Sequence, residues 1–208
     1  MLTVALDYDG VSYPFSHAIS GWAGERGIDL PSDPVERSYW RGCGLDDAGW
    51  DALLVEFGED GGYRREAPYP EALEGINAIF DAGHDLLGVT SRPATRAIEA
   101  STFGWTADWV LPLRSILIGP GSKMAAECDL VVDDDPDEIV QVEELGEASG
   151  LLLDAPWNQE AEGFVRVTWA QLPEVVEALA SAVAAEAPSD RRFVLVEMLD
   201  EIRRPISA

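Results

Sequence analysis

Short apolar runs that stop abruptly at polar residues recur along this chain, and they constrain its fold more than any other feature. Thr3-Val4-Ala5-Leu6 runs into Asp7-Tyr8-Asp9-Gly10, Asp85-Leu86-Leu87-Gly88-Val89 into Thr90-Ser91-Arg92, and Leu130-Val131-Val132 into Asp133-Asp134-Asp135. Runs this short without alternation read as strands buried on both faces, with the polar residues marking where each leaves the core. Helical patterns lie between them. Residues 70–81 place Leu73, Ile76, Ile79 and Phe80 on one helical face, with Pro70 in the first turn and Gly83 as a stop. A helix is expected after Pro93, strands at 109–111 and 116–118, a helical turn near 123–127, strands at 151–153 and 165–167, and a helix over 172–184. This alternation predicts an α/β chain with a mostly parallel sheet and helices on both faces. Ligands of such sheets bind beyond the carboxyl ends of the strands, so Asp7, Thr90, Ser91, Asp133 and Asp134 are expected at one edge.

Residues 11–68 interrupt the alternation and are too long for an ordinary loop. Phe15, Ile19 and Trp22 recur at helical spacing, Asp33-Pro34 is a helix-start signal, and Trp50, Leu53, Leu54 and Phe57 recur on another face. The segment reads as an inserted cap. Residues 186–190 read as a linker before a last amphipathic helix over 193–202, so the expected division is a core of 1–10 and 69–185, a cap of 11–68, and a C-terminal linker and helix of 186–208.

A chain of 208 residues, 47% hydrophobic, can build one such core with a small insertion. The formal net charge of −25 repels nucleic-acid polymers, whose binding needs cations to displace phosphate counterions. No apolar run is long enough to cross a bilayer, and residues 1–6 lack the basic region of a signal peptide, so a cytoplasmic location without a membrane partner is expected. Cys43 and Cys128 read as isolated small apolar residues, with a single bridge left open, and only two histidines are present, which argues against a zinc site. Such acidity also opposes a phosphorylated ligand, so local cations become informative. Lys123 is the only lysine.

Asp7 and Asp9 are two residues apart at a strand end and so point to the same side, able to address one ligand. An Asp-x-Asp-Gly string alone is common in turns. The ordered set is more specific: an Asp pair, a strand ending in Thr90-Ser91, a lone lysine at 123, and an acidic cluster ten positions later. On those residues the sequence resembles the haloacid dehalogenase (HAD) superfamily of phosphotransferases, and within it the 5'-nucleotidases of the deoxyribonucleotidase type. Asp154-Ala155-Pro156-Trp157-Asn158, followed by Val165-Arg166-Val167 and Trp169, is similar to a proline-aromatic-asparagine segment of those enzymes. Ser12, where an apolar residue is usual, and Arg92, where proline is common, depart from the nucleotidase pattern.

The resemblance implies a HAD-like Rossmannoid three-layer fold with a small helical cap after the first strand, and an Mg2+-dependent phosphatase. Asp7 would be the nucleophile forming an aspartyl-phosphate. Asp9 would carry protons through its side chain and reach the metal through its carbonyl. Asp7 and Asp133 would bind Mg2+, with Asp134 supporting the ion from its outer side, while Thr90, Ser91 and Lys123 would hold the phosphoryl oxygens. Asp135 and Asp137 fit a solvated acidic helix start. A nucleoside monophosphate is the first expected substrate, with Phe15, Trp40, Trp50, Phe57 and Tyr63 available to stack on a base; another small phosphate ester is the second, and a catalytically silent binding protein the third. A homodimer stays open. Gly119-Pro120-Gly121-Ser122-Lys123 is too short in glycine spacing for a triphosphate-binding loop, and in receiver domains the lysine follows the acidic residues rather than preceding the last of them.

Overall fold

The computed structural model describes residues 1–184, 186 and 190–203. In chain order they form β1 (Thr3–Asp7), α1 (Phe15–Gly24), α2 (Tyr39–Gly42), α3 (Asp47–Glu59), a 3-10 turn at Gly62–Arg64, α4 (Pro70–Asp81), β2 (Asp85–Thr90), α5 (Arg96–Asp108), β3 (Ser115–Ile118), α6 (Ser122–Ala125), β4 (Leu130–Asp133), α7 (Pro136–Leu145), β5 (Ser149–Leu153), a second 3-10 turn at Pro156–Asn158, β6 (Arg166–Val167), α8 (Leu172–Val183) and α9 (Arg191–Arg203). The linker expected at 186–190 lies largely outside the described residues.

The strands pair in the order β3-β2-β1-β4-β5-β6, and every pairing is parallel. Ala5 sits in register between Leu87 and Val131, so the first apolar run occupies the middle of the sheet. Successive side chains on a strand face opposite ways. Leu2, Val4, Leu6, Leu86, Leu130, Val132 and Leu151 therefore join one apolar cluster with α4, α5, α8 and α9, while Ala5, Leu87, Val89 and Val131 join another with Val142 of α7. Helices on both faces explain the absence of alternation in these runs, and each fully buried Leu or Val contributes about 1.5–3 kcal/mol.

The segment between β1 and β2 carries α1, α2 and α3. Trp22, Trp50, Leu53 and Phe57 are buried in the same cluster as the first sheet face. The segment is also tied to α5: the Arg64 guanidinium donates to both Asp108 oxygens at 2.6 and 2.7 Å, and Trp105 Nε1 donates to the Glu66 carbonyl at 2.7 Å.

Two expected elements are absent. Residues 109–111 are not a strand, because α5 ends there in a wrap: the Leu111 amide donates back to the Thr106 carbonyl and Val110 takes a left-handed φ of 51°. Asp33-Pro34 starts no helix; the chain runs through bends and turns until α2 begins at Tyr39, and Pro34 faces a cavity instead. Cys43 and Cys128 are both free thiols, the first exposed, so no bridge joins them.

Candidate active site

The strand order reverses between β1 and β4, whose connections leave in opposite directions and open a crevice beyond their carboxyl ends. Asp7 closes β1, Thr90 closes β2 and Asp133 closes β4, so the crevice collects residues far apart in the chain. It forms a cavity of about 220 Å³, roofed by Phe15, Tyr39, Trp40, Trp50 and Tyr63. Asp7, Asp9, Thr90, Ser91, Lys123, Asp133 and Asp134 all line it.

Lys123 is delivered to the floor by a turn anchored on β2. The Gly119 amide and the Ser122 hydroxyl both donate to the Thr90 carbonyl at 2.9 Å, and α6 begins immediately after. The Lys123 ammonium lies 3.2 Å from Asp7 Oδ1, pairs closely with Asp133 Oδ2 and stands 3.9 Å from Glu138 Oε2. Burial opposes its charge, but Asp7 and Asp133 outweigh that and hold the lysine well above its ordinary value. Asp133 uses its other oxygen, Oδ1, to accept from the Asp135 amide at 2.9 Å.

Carboxylate oxygens of Asp7, Asp133 and Asp134, all buried, lie within 4.8 Å of one another. Burial raises Asp7 well above the usual carboxylate range; Lys123 opposes this and Asp133 adds to it. Asp134 is pushed up to about 7 by burial and then by Asp133, with Arg37 pulling the other way. An all-oxygen set with this much confined negative charge suits a hard dication such as Mg2+.

Asp134 is held from two sides. Trp157 Nε1 donates to its Oδ2 at 2.6 Å, and Asn158 Nδ2 donates to its backbone carbonyl at 2.9 Å and to that of Leu153 at 2.8 Å. The proline-tryptophan-asparagine segment thus clamps the loop after β4 to the end of β5. Gly10, with φ of 87°, lies against the same carboxylate; an added Cβ would collide with Asp134 and touch the Trp157 ring.

Several placements differ from expectation. Asp135 is not solvated: it is buried, caps α7 by accepting from the Asp137 amide, and pairs with Arg37 at 2.6 Å. The Ser91 hydroxyl donates to Glu138 at 3.2 Å, and Thr90 Oγ1 accepts from the Arg92 amide at 3.3 Å. Phe57 is fully buried and, unlike the other expected stacking residues, is not on the cavity wall. The two departures from the nucleotidase pattern have structural roles: Ser12 Oγ donates to the Asp7 carbonyl at 3.2 Å, and Arg92 makes a two-toothed pair with Asp9 at 2.6 and 2.9 Å.

Arg37 and Glu138 have no counterpart in the sequence reading. Glu138 lies five residues after Asp133, in the first turn of α7, where the continuing acidic run could have flagged it; Arg37 lies in an irregular stretch of the long insertion where no periodicity points to it.

No protein-family model and no curated protein matches the sequence. Solved structures do match. A predicted phosphatase from Clostridium acetobutylicum aligns with a TM-score of 0.55 at 11% identity over 85% of this chain and 98% of the other. A HAD family hydrolase from Deinococcus radiodurans R1, with bound phosphate and sodium, aligns at 0.50 and 15% over 86% and 95%. A predicted phosphoglycolate phosphatase from Haemophilus somnus aligns at 0.50 and 14% over 84% and 97%. The chain therefore has the HAD-like Rossmannoid fold, with a six-stranded, all-parallel sheet. At such identities the likeness defines the fold, and the chemistry rests on the side chains.

Proposed function

We propose that this chain is a Mg2+-dependent phosphatase working through an aspartyl-phosphate on Asp7, with a nucleoside 5'-monophosphate as its substrate. One observation carries the chemistry: Asp7, Asp133 and Asp134 converge with Lys123, buried, on the floor of a cavity at the switch point of the sheet. An Asp7 oxygen attacks phosphorus and the ester P–O bond breaks. Asp9 gives the leaving oxygen a proton, then takes one from the water that attacks the aspartyl-phosphate, releasing inorganic phosphate and restoring Asp7. Asp7, Asp133 and Asp134 would hold the dication, whose chemistry is to offset the repulsion between nucleophile and phosphate. Lys123, Thr90 and Ser91 receive the phosphoryl oxygens.

The nucleotide reading is supported by the aromatic roof. Trp40 and Trp50 are stacked at 4.7 Å and 3°, and Phe15, Tyr39 and Tyr63 continue the wall. A base against such a surface would gain about 1–3 kcal/mol, by analogy with stacking in single-strand binders. In this reading the segment 11–68 acts as a cap that sets substrate choice. Arg37 favours a second reading, a small phosphate ester with another anionic group, in line with the predicted phosphoglycolate phosphatase named above: its half-exposed guanidinium lines the cavity beside its partner Asp135 and suits a carboxylate.

A panel of nucleoside monophosphates, phosphoglycolate, sugar phosphates and p-nitrophenyl phosphate, assayed with Mg2+, separates the two readings. The nucleotides are expected to give the highest kcat/KM; a higher value for phosphoglycolate would favour the second. Asp7→Asn is expected to abolish turnover on every member while the fold persists. Full turnover by folded Asp7→Asn protein, or no turnover by the wild type, would refute the phosphatase reading.

A further inference from the structure

We propose that Arg92 is the positioning residue for Asp9, fixing the carboxylate at the angle from which it serves the leaving group; this rests on the proton-carrying role of Asp9 given above. The edge of the guanidinium that faces Asp9 is taken up by that carboxylate. Nε donates to Asp9 Oδ2 at 2.9 Å, Nη2 to Asp9 Oδ1 at 2.6 Å, and Nη1 to Thr102 Oγ1 on α5 at 3.0 Å. Thr102 is fixed in turn, donating to the Ile98 carbonyl at 2.9 Å. Three rings close around the cation: its carbon lies 4.0 Å from the Tyr63 centroid, 5.0 Å from Tyr8 and 5.2 Å from Tyr13.

Exposure separates positioning from binding. Both residues border the cavity, but the Arg92 side chain is 1% exposed and that of Asp9 24%, so the carboxylate offers the cavity far more surface than the cation behind it. A guanidinium fork engages one lone pair on each oxygen and fixes the carboxylate plane, leaving a remaining lone pair as the position of the proton passed to the leaving oxygen. Burying a guanidinium is costly unless geometry is excellent, and here the fork on Asp9, the Thr102 hydroxyl and the three tyrosine rings together hold it in place. Tyr63 belongs to the segment between β1 and β2, so the seating of that segment and the aim of Asp9 share one aromatic cage.

The test measures kcat/KM, which reports the steps through departure of the leaving group, on the best alkyl phosphate of the panel and on p-nitrophenyl phosphate, whose leaving group needs no proton. Arg92→Met should lower the alkyl value by about a hundredfold or more, the scale of acid–base catalysis, and the p-nitrophenyl value at least tenfold less steeply. Arg92→Lys should fall between, since an ammonium keeps the charge and loses the fork, and it carries the test if Arg92→Met does not fold. Asp9→Asn should show the same leaving-group dependence, and adding Arg92→Met to Asp9→Asn should cost little more. Equal losses on both substrates in the Arg92 variants, or losses that add to those of Asp9→Asn, would overturn the positioning role while leaving Asp9 in place. If Asp9→Asn itself shows no leaving-group dependence, the role given to Asp9 falls, and the Arg92 proposal with it.

Discussion

At the scale of single residues, Lys123 shows how one side chain serves both stability and the proposed chemistry. Its ammonium is the buried counterion of Asp7 and Asp133. Removing one member of a buried pair commonly costs about 3–5 kcal/mol, so Lys123→Met should lower the melting temperature as well as turnover, unless Mg2+ takes over the charge. Added Mg2+ should therefore recover part of the stability but not the activity. Lys123→Arg keeps the charge on a wide planar fork where the cavity floor accommodates a compact ammonium, and should recover less than about a tenth of wild-type kcat/KM. Near-normal kcat/KM in Lys123→Arg would count against a point-charge role. Trp157 acts one step further out. Trp157→Phe removes the hydrogen bond to Asp134, and Mg2+ titration followed by thermal shift should give an affinity about tenfold or more weaker, the usual effect of losing an outer partner of a metal ligand.

At the scale of elements, α4 shows what periodicity reads well and where it blurs. The spacing puts Leu73, Ile76, Ile79 and Phe80 on one face, yet Ala72, Gly75, Ile76 and Ile79 are the buried residues, Leu73 is half-buried and Phe80 is 48% exposed. At about 100° per residue, Leu73 and Phe80 fall together at one border of the stripe, while Gly75 meets the Trp169 ring at the other. The pattern found the helix but misjudged the centre of its face by part of a turn. Ile79→Ala should consequently cost about 2–5 kcal/mol in urea unfolding and Phe80→Ala under about 1 kcal/mol, and the reverse order would mean that the face is centred elsewhere. The same reasoning covers the wrap after α5, where Leu111 is apolar because it turns back against the helix that precedes it, so an apolar run there was no sign of a strand.

At the scale of the whole molecule, a net charge of −25 is concentrated further by folding, which brings Asp7, Asp133 and Asp134 together out of water. Asp134 is raised to about 7 and Asp7 is raised in the same direction. Between about pH 4, where an unfolded aspartate releases its proton, and about pH 7, the folded chain binds more protons than the unfolded one, so these groups make stability fall as pH rises. The metal-free protein should then melt higher at about pH 5 than at about pH 7.5, and Mg2+ should raise the melting temperature more at the higher pH, where its ligands are ionised. A melting temperature independent of both pH and Mg2+ would show that the acidic cluster is neither strained nor a metal site. Among the described residues no helix is long and apolar enough to cross a membrane. What the sequence alone determined is what depends on neighbours along the chain: the buried strands from their uninterrupted apolar runs, most of the helices from their spacing, and the edge where Asp7, Thr90 and Asp133 emerge. Only the tertiary structure decided which side chains face one another across that edge. Arg92 on Asp9, Arg37 on Asp135, Glu138 on Ser91 and Trp157 on Asp134 are pairings made by packing between elements, and no local pattern encodes them, because a hydrogen bond between distant residues depends on where the hydrophobic core seats each element rather than on the residues beside it.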